Sequence, residues 1–78
     1  MPENKTVEYG VVLFRSVSHA LRGERVTQEA GLKVKLIPVP RQIASDCGVC
    51  IRVSRSGAEK ARRILAQAGI DVEGVHRL

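Results

Sequence analysis

The hydrophobic positions of the first half of the chain predict a strand followed by a helix. From Val7 to Phe14, apolar residues stand at both odd and even positions, which is typical of a strand buried on two faces. Ser16 or Ser18 then offers a helix N-cap, and Gly31 offers a left-handed residue to end that helix. The buried stripe expected on this helix consists of Val17, Ala20, Leu21, Val26 and Ala30.

A second strand is predicted after this helix. Polar and apolar residues alternate from Lys33 to Ile37, so the lysines are expected to face outward, as on an edge strand. Proline lacks the backbone N–H that a sheet ladder needs, and Pro38 and Pro40 are therefore expected to end this strand.

The second half of the chain repeats the order strand, helix, strand. The stretch from Val49 to Val53 alternates, with Val49, Ile51 and Val53 on one face and Cys50 and Arg52 on the other. Ser56 to Glu59 has the spacing of a capping box, and Gly69 is expected to end the helix that follows. The apolar stripe of this helix consists of Ala58, Ala61, Ile64, Leu65 and Ala68. A short last strand is expected between Ile70 and Leu78.

Two successive strand-helix-strand units with right-handed crossovers predict an α+β fold of the ferredoxin-like type, β-α-β-β-α-β. In that architecture four antiparallel strands form one sheet, two helices cover one face, and strands one and three lie together at the centre. The opposite sheet face is left open, and a homodimer through that face is expected, with Val12 or Phe14 on it.

The length and charge of the chain limit the classes of function. A chain of 78 residues forms one small domain, residues 1–78, with a flexible N-terminus at 1–6. A net charge of +5 permits an anionic partner but does not require one. No apolar run is long enough to span a membrane or to act as a signal core, so a cytoplasmic protein is expected.

The loop between strands two and three holds both cysteines and the composition best suited to chemistry. Cys47 precedes Gly48, whose missing Cβ allows a ligand or another backbone to approach closely. Arg41 and Ser45 can supply a positive charge and a hydroxyl, and such groups favour the nucleophilic thiolate, whereas Asp46 would oppose them. A small buried residue at the start of a strand is the alternative interpretation of Cys47.

Cys50 is expected to be a packing residue of the third strand. If that strand begins at Gly48, the Cα atoms of Cys47 and Cys50 stand about 10 Å apart, beyond disulfide range. A redox pair would require a bend between them. The remaining candidate metal ligands, His19 and His76, are remote in sequence and lack a paired spacing, so no metal site is predicted.

The run Pro38-x-Pro40-Arg41-x-Ile43-x-Ser45-x-Cys47-Gly48, preceded by Phe14-x-Ser16, resembles a selenium/sulfur carrier-like family of small bacterial proteins. The resemblance covers nearly the whole chain, from Tyr9 to Arg77. It implies that Cys47 holds a persulfide or selenopersulfide, with Pro40, Arg41, Ser45 and Gly48 around it as binding residues. Cys50 stands where members of that family usually have a small apolar residue, and Ala44 where a second serine is common.

Three hypotheses for function follow. The first is a carrier that receives sulfur or selenium on Cys47 from a donor protein and passes it to an acceptor, without a separate cofactor and without being a stand-alone enzyme. The second is a binding module for RNA phosphates or a protein partner, for which Lys33, Lys35 and Arg52 supply charge. Nucleic acid is not the expected partner, because strand three has no aromatic residue for base stacking. The third is a thiol-disulfide protein that uses Cys47 and Cys50.

Overall fold

A computed structural model describes residues 8–43 and 48–77 of the chain. The elements follow in the order β1 Tyr9–Phe14, α1 Val17–Glu29, β2 Val34–Pro38, β3 Val49–Ser54, α2 Arg55–Gln67 and β4 Val72–Arg77. The predicted sequence of strands and helices is therefore confirmed, including the last strand. The proposed flexible segment 1–6 lies outside the described residues.

The four strands form one antiparallel sheet in the order β2-β3-β1-β4. The predicted α+β class and the central pairing of strands one and three are confirmed. β1 is buried along almost its whole length, as its apolar residues at both parities predict, because it has packed side chains on both faces. β2 is an edge strand, as its alternating lysines indicate.

The main hydrophobic core lies between the sheet and both helices. Val12 and Phe14 of β1 pack there against Ile51 and Val53 of β3 and against Leu65 of α2. The prediction that Val12 or Phe14 lies on the open sheet face is wrong, because both are fully buried on the helix side. The sheet face opposite the helices is called here the outer face. It carries Val11 and Leu13 of β1 and Cys50 of β3, which alternate with the core residues along these strands.

Helix α1 packs through a narrower face than its hydrophobic residues predict. Its fully buried residues are Ala20, Gly23 and Thr27, whereas Val17 and Leu21 are 47% and 50% exposed. The prediction that these two belong to the buried stripe is wrong, because small residues allow α1 to lie close to the sheet and turn the larger ones outward. The buried hydroxyl of Thr27 donates to the carbonyl of Gly23 at 2.8 Å, so no polar group is left unsatisfied there.

One helix boundary differs from the predictions. The N-cap of α2 is Ser54, whose Oγ accepts a hydrogen bond from the N–H of Gly57 at 3.3 Å, and Ser56 lies inside the helix. The predicted capping box at Ser56 is therefore wrong. β2 ends at Pro38, which lies opposite Val49, as the two prolines predict. Proline is tolerated there because β2 is an edge strand, and the backbone on its free edge needs no hydrogen-bond partner from another strand.

Candidate functional site

The register of the strands places the two ends of the central loop at one end of the sheet. Leu13 is opposite Cys50, and Pro38 is opposite Val49, so β1 and β2 end where β3 begins. Phe14 is opposite Val72, so β4 also begins at this end. The loop between β2 and β3 and the first turn of α1 therefore belong to the same end of the molecule.

The base of the loop is closed by the backbone. The N–H of Val39 donates to the carbonyl of Gly48 at 3.1 Å, which extends the β2–β3 ladder beyond Pro38. The chain thus leaves the sheet at Val39 and re-enters it at Gly48. The spacing between these two points is set by the sheet rather than by the loop.

The first part of the loop folds over the outer face. The N–H of Ile43 donates to the carbonyl of Pro40 at 3.0 Å, which makes a turn with Arg41 exposed at its corner. Val39 and Ile43 pack against a second hydrophobic cluster on this face, which consists of Val11, Leu13 and Cys50. These two apolar residues anchor the loop. No role was predicted for them, although apolar residues among prolines and polar residues are the signal that could have found them.

Gly48 has a backbone conformation that suits glycine. Its φ is +86°, in the left-handed region, and, its chain neighbours aside, no atom of residues 8–43 and 48–77 lies within 4 Å of the position that a Cβ would occupy. The prediction that glycine stands here to let a ligand or another backbone approach stays a prediction. The conformation adds a second reason, because L-residues pay a steric cost at positive φ.

Cys47 and Ser45 lie outside the described residues, together with Ala44 and Asp46. Their predicted roles, and the distance from Cys47 to Cys50, stay predictions. The described residues define the two flanks of this segment: Pro40, Arg41 and Ile43 on one side, and Gly48 on the other.

Cys50 is the second residue of β3, at the end of the sheet that carries the loop, and it is fully buried. It shares its sheet face with Leu13 and Ile37, which stand opposite it on the two neighbouring strands. Val39 and Ile43 pack against the cluster that contains it. The predicted orientation of Cys50, away from Val49 and Ile51, is confirmed, and its side chain presents no surface to an incoming protein.

The first turn of α1 contributes polar groups to the same end of the sheet. Ser16 is the N-cap, and its Oγ accepts from the N–H of His19 and lies 2.6 Å from His19 Nδ1 and 3.1 Å from Ser18 Oγ. No acidic side chain stands in this turn, so the positive end of the helix dipole is not offset there. His19 is half-buried, and its ring lies against Ser16.

No group of three potential metal ligands occurs among residues 8–43 and 48–77. His76 is exposed in β4 and lies opposite Val11, on the outer face. None of the helices in the described part of the chain is long and apolar enough to cross a membrane.

The fold and this end of the sheet define a small α+β protein with a cysteine-bearing loop closed by two sheet strands. The chain belongs to the family described as "Putative Se/S carrier protein-like", whose model matches residues 9–77. This agrees with the resemblance carried by the Pro-x-Pro-Arg and Ser-x-Cys-Gly residues. No curated protein and no solved structure matches the chain significantly.

Proposed function

We propose that the protein carries sulfur or selenium on Cys47, as a persulfide or selenopersulfide, between a donor and an acceptor protein. The membership of residues 9–77 in the Se/S carrier-like family is the observation that carries this proposal. The geometry supports it in one respect: of the two cysteines, Cys50 is buried in the sheet and has no surface to offer. Cys47 is therefore assigned the chemistry.

The transfer requires no net oxidant or reductant. The Cys47 thiolate attacks the outer sulfur of a cysteine persulfide on the donor, a new S–S bond forms on Cys47, and the donor cysteine leaves as a thiolate. A nucleophile of the acceptor then attacks the terminal sulfur, and Cys47 is released as a thiolate. Selenium follows the same steps, with selenium as the terminal atom.

The loop offers groups that suit a terminal anionic sulfur. Arg41 is exposed at the corner of the Pro40–Ile43 turn and makes no ion pair with any carboxylate in the described residues. In this proposal Arg41 supplies positive charge and the backbone beside Gly48 supplies N–H donors for the terminal atom, while Ser45 adds a hydroxyl. Pro40 stiffens the turn that carries Arg41.

The test is the mass of the protein after incubation with a cysteine desulfurase and cysteine, followed by alkylation. The wild-type protein and Cys50→Ala are expected to gain one sulfur atom, and Cys47→Ser is expected to gain none. A parallel incubation with selenocysteine compares the two elements. With an active desulfurase, an unmodified wild-type protein would contradict the carrier function.

The thiol-disulfide hypothesis makes a different prediction in the same experiment. If both cysteines take part in the chemistry, then Cys50→Ala, folded by circular dichroism, must lose sulfur loading or thiol reactivity together with Cys47→Ser. Because Cys50 lies under Val39 and Ile43, we expect instead that its replacement alters stability and leaves loading intact.

A further inference from the structure

The outer face carries a cluster of positive charge that begins next to the residues under the loop and runs toward the opposite end of the sheet. Lys33, Lys35 and Arg52, with Tyr9, line a shallow groove of about 330 Å³, and these four residues are called here the basic strip. Both lysines are exposed, and Arg52 is half-buried with its guanidinium 4.3 Å from the centre of the Tyr9 ring. This cation–π contact fixes the direction of Arg52 on the sheet.

Two of these charges stand in an unfavourable arrangement. Lys35 of β2 lies directly opposite Arg52 of β3, and like charges opposite each other on a sheet face are destabilising. Among residues 8–43 and 48–77, no carboxylate forms an ion pair with any member of the strip. The fold therefore holds adjacent positive charges together without an anion to offset them.

Protection of the sheet edge accounts for only part of the strip. Lysines on an edge strand discourage pairing with other chains, and this explains Lys33 and Lys35. Arg52 stands on β3, which has β2 on one side and β1 on the other, so it has no edge to protect. A bound anion would relieve the repulsion between Arg52 and Lys35.

We propose that the basic strip docks an acidic segment of the protein that exchanges sulfur or selenium with Cys47; this inference rests on the proposed function. Lys35 is two residues from Ile37, which packs beside Cys50 and the loop anchors, and two residues of strand span about 7 Å. A partner that reaches the loop from the outer face is therefore also within reach of Lys35 and Arg52, and the strip continues from them toward Lys33 and Tyr9.

The composition of the strip favours an acidic protein over RNA or a second copy of this chain. Single-stranded RNA binds sheet faces largely through bases stacked on aromatic rings. Tyr9 is the one aromatic side chain of the strip, and Arg52 covers one face of its ring. A second copy would bring another basic strip against this one, and the two would repel each other.

The test measures binding of a short polyglutamate peptide at low salt, by fluorescence anisotropy and by amide chemical shifts. Wild-type protein is expected to bind, with shifts centred on Tyr9, Lys33, Lys35 and Arg52. Lys35→Glu places opposite charges across the strands, so its unfolding midpoint should rise or stay unchanged while its affinity falls at least about tenfold. The matched control is Lys60→Glu, which makes the same charge change at an exposed position of α2 and should bind as wild type.

The inference is overturned by the absence of saturable binding, by an equal loss of affinity in Lys60→Glu, or by tighter binding of a short polyuridine RNA than of the peptide at the same residues. Concentration-dependent dimerisation through the strip, abolished in Lys35→Glu, would assign this face to a second copy instead.

The carrier function is tested separately by loading sulfur from inorganic polysulfide, which needs no protein partner. Wild type and Lys35→Glu are expected to load Cys47 equally. If neither protein is loaded, the proposed function fails, whereas the peptide measurement still decides whether the strip binds acidic segments.

Discussion

The conformation of Gly48 predicts a specific cost for adding a single methyl group beside Cys47. At a φ of +86° an L-residue pays about 1–2 kcal/mol for the left-handed conformation. Alanine also restricts the unfolded chain, which returns about 0.4–1 kcal/mol. Within the described part of the chain, no atom beyond the neighbouring residues lies within 4 Å of the added Cβ, so no clash with that part contributes. The net expectation for Gly48→Ala is a loss of about 1 kcal/mol in the free energy of unfolding.

The chain supplies two matched controls for this substitution. Gly31 and Gly69, which follow the two helices, have φ values of +94° and +77° and equally open surroundings. Gly31→Ala and Gly69→Ala are therefore expected to lose a similar amount of stability. Urea unfolding measures all three variants, and a loss of about 1 kcal/mol lowers the melting temperature of a domain of this size by roughly 4–8 °C.

The rate at which iodoacetamide alkylates Cys47 separates the role of Gly48 from its cost in stability. Below the unfolding transition and in the Cys50→Ala background, Gly48→Ala is expected to change this rate at least about threefold, since a strained residue repositions its neighbours in the chain. The two control variants should leave it unchanged. If Gly48→Ala is as stable as wild type, or if all three variants alter the rate equally, the argument from the left-handed conformation is wrong.

Two further predictions concern the N-cap of α2 and the packing of α1 on the sheet. Ser54→Ala removes the hydroxyl that accepts from the Gly57 N–H, and it is expected to lower the free energy of unfolding in urea by about 1 kcal/mol. Ser56→Ala should change that free energy by less than about 0.5 kcal/mol. A larger loss in Ser56→Ala than in Ser54→Ala would restore the capping box at Ser56. Gly23→Ala adds a Cβ 2.8 Å from two ring carbons of Phe14. The overpacking cost of about 1–3 kcal/mol is expected to exceed the gain of about 1 kcal/mol in helix propensity, so the protein should become less stable. Adding Phe14→Leu should recover part of that loss in a double-mutant cycle, and a more stable Gly23→Ala protein would show that the helix and sheet are not in tight contact.

The hydrophobic pattern was sufficient to predict the order of the elements because each strand and helix has its own period. The apolar residues of β1 at both parities predicted a strand buried on two faces, and the alternation of β3 predicted one apolar face. The pattern also placed Cys50 on the face opposite Val49 and Ile51, where the structure has it.

The pattern was insufficient where two choices satisfy the same local rules. Ser54 and Ser56 can both cap a helix, and only the point at which β3 leaves its ladder with β1 decides between them. The buried face of α1 was assigned to its large apolar residues, but close approach to Phe14 requires Gly23 there. Hydrophobicity alone does not report the distance between a helix and a sheet.

The central loop shows the same division. By itself, the sequence determined that a cysteine and a glycine follow a proline-rich segment between two strands, and it supplied the family resemblance that points to Cys47. Only the tertiary structure decided that Val39 and Ile43 fold onto the outer face, that Cys50 is buried beneath them, and that Lys35 faces Arg52. These contacts depend on which strands become neighbours and in which register they pair. They join residues that are far apart in the sequence, and a local hydrophobic pattern does not report which distant residues meet.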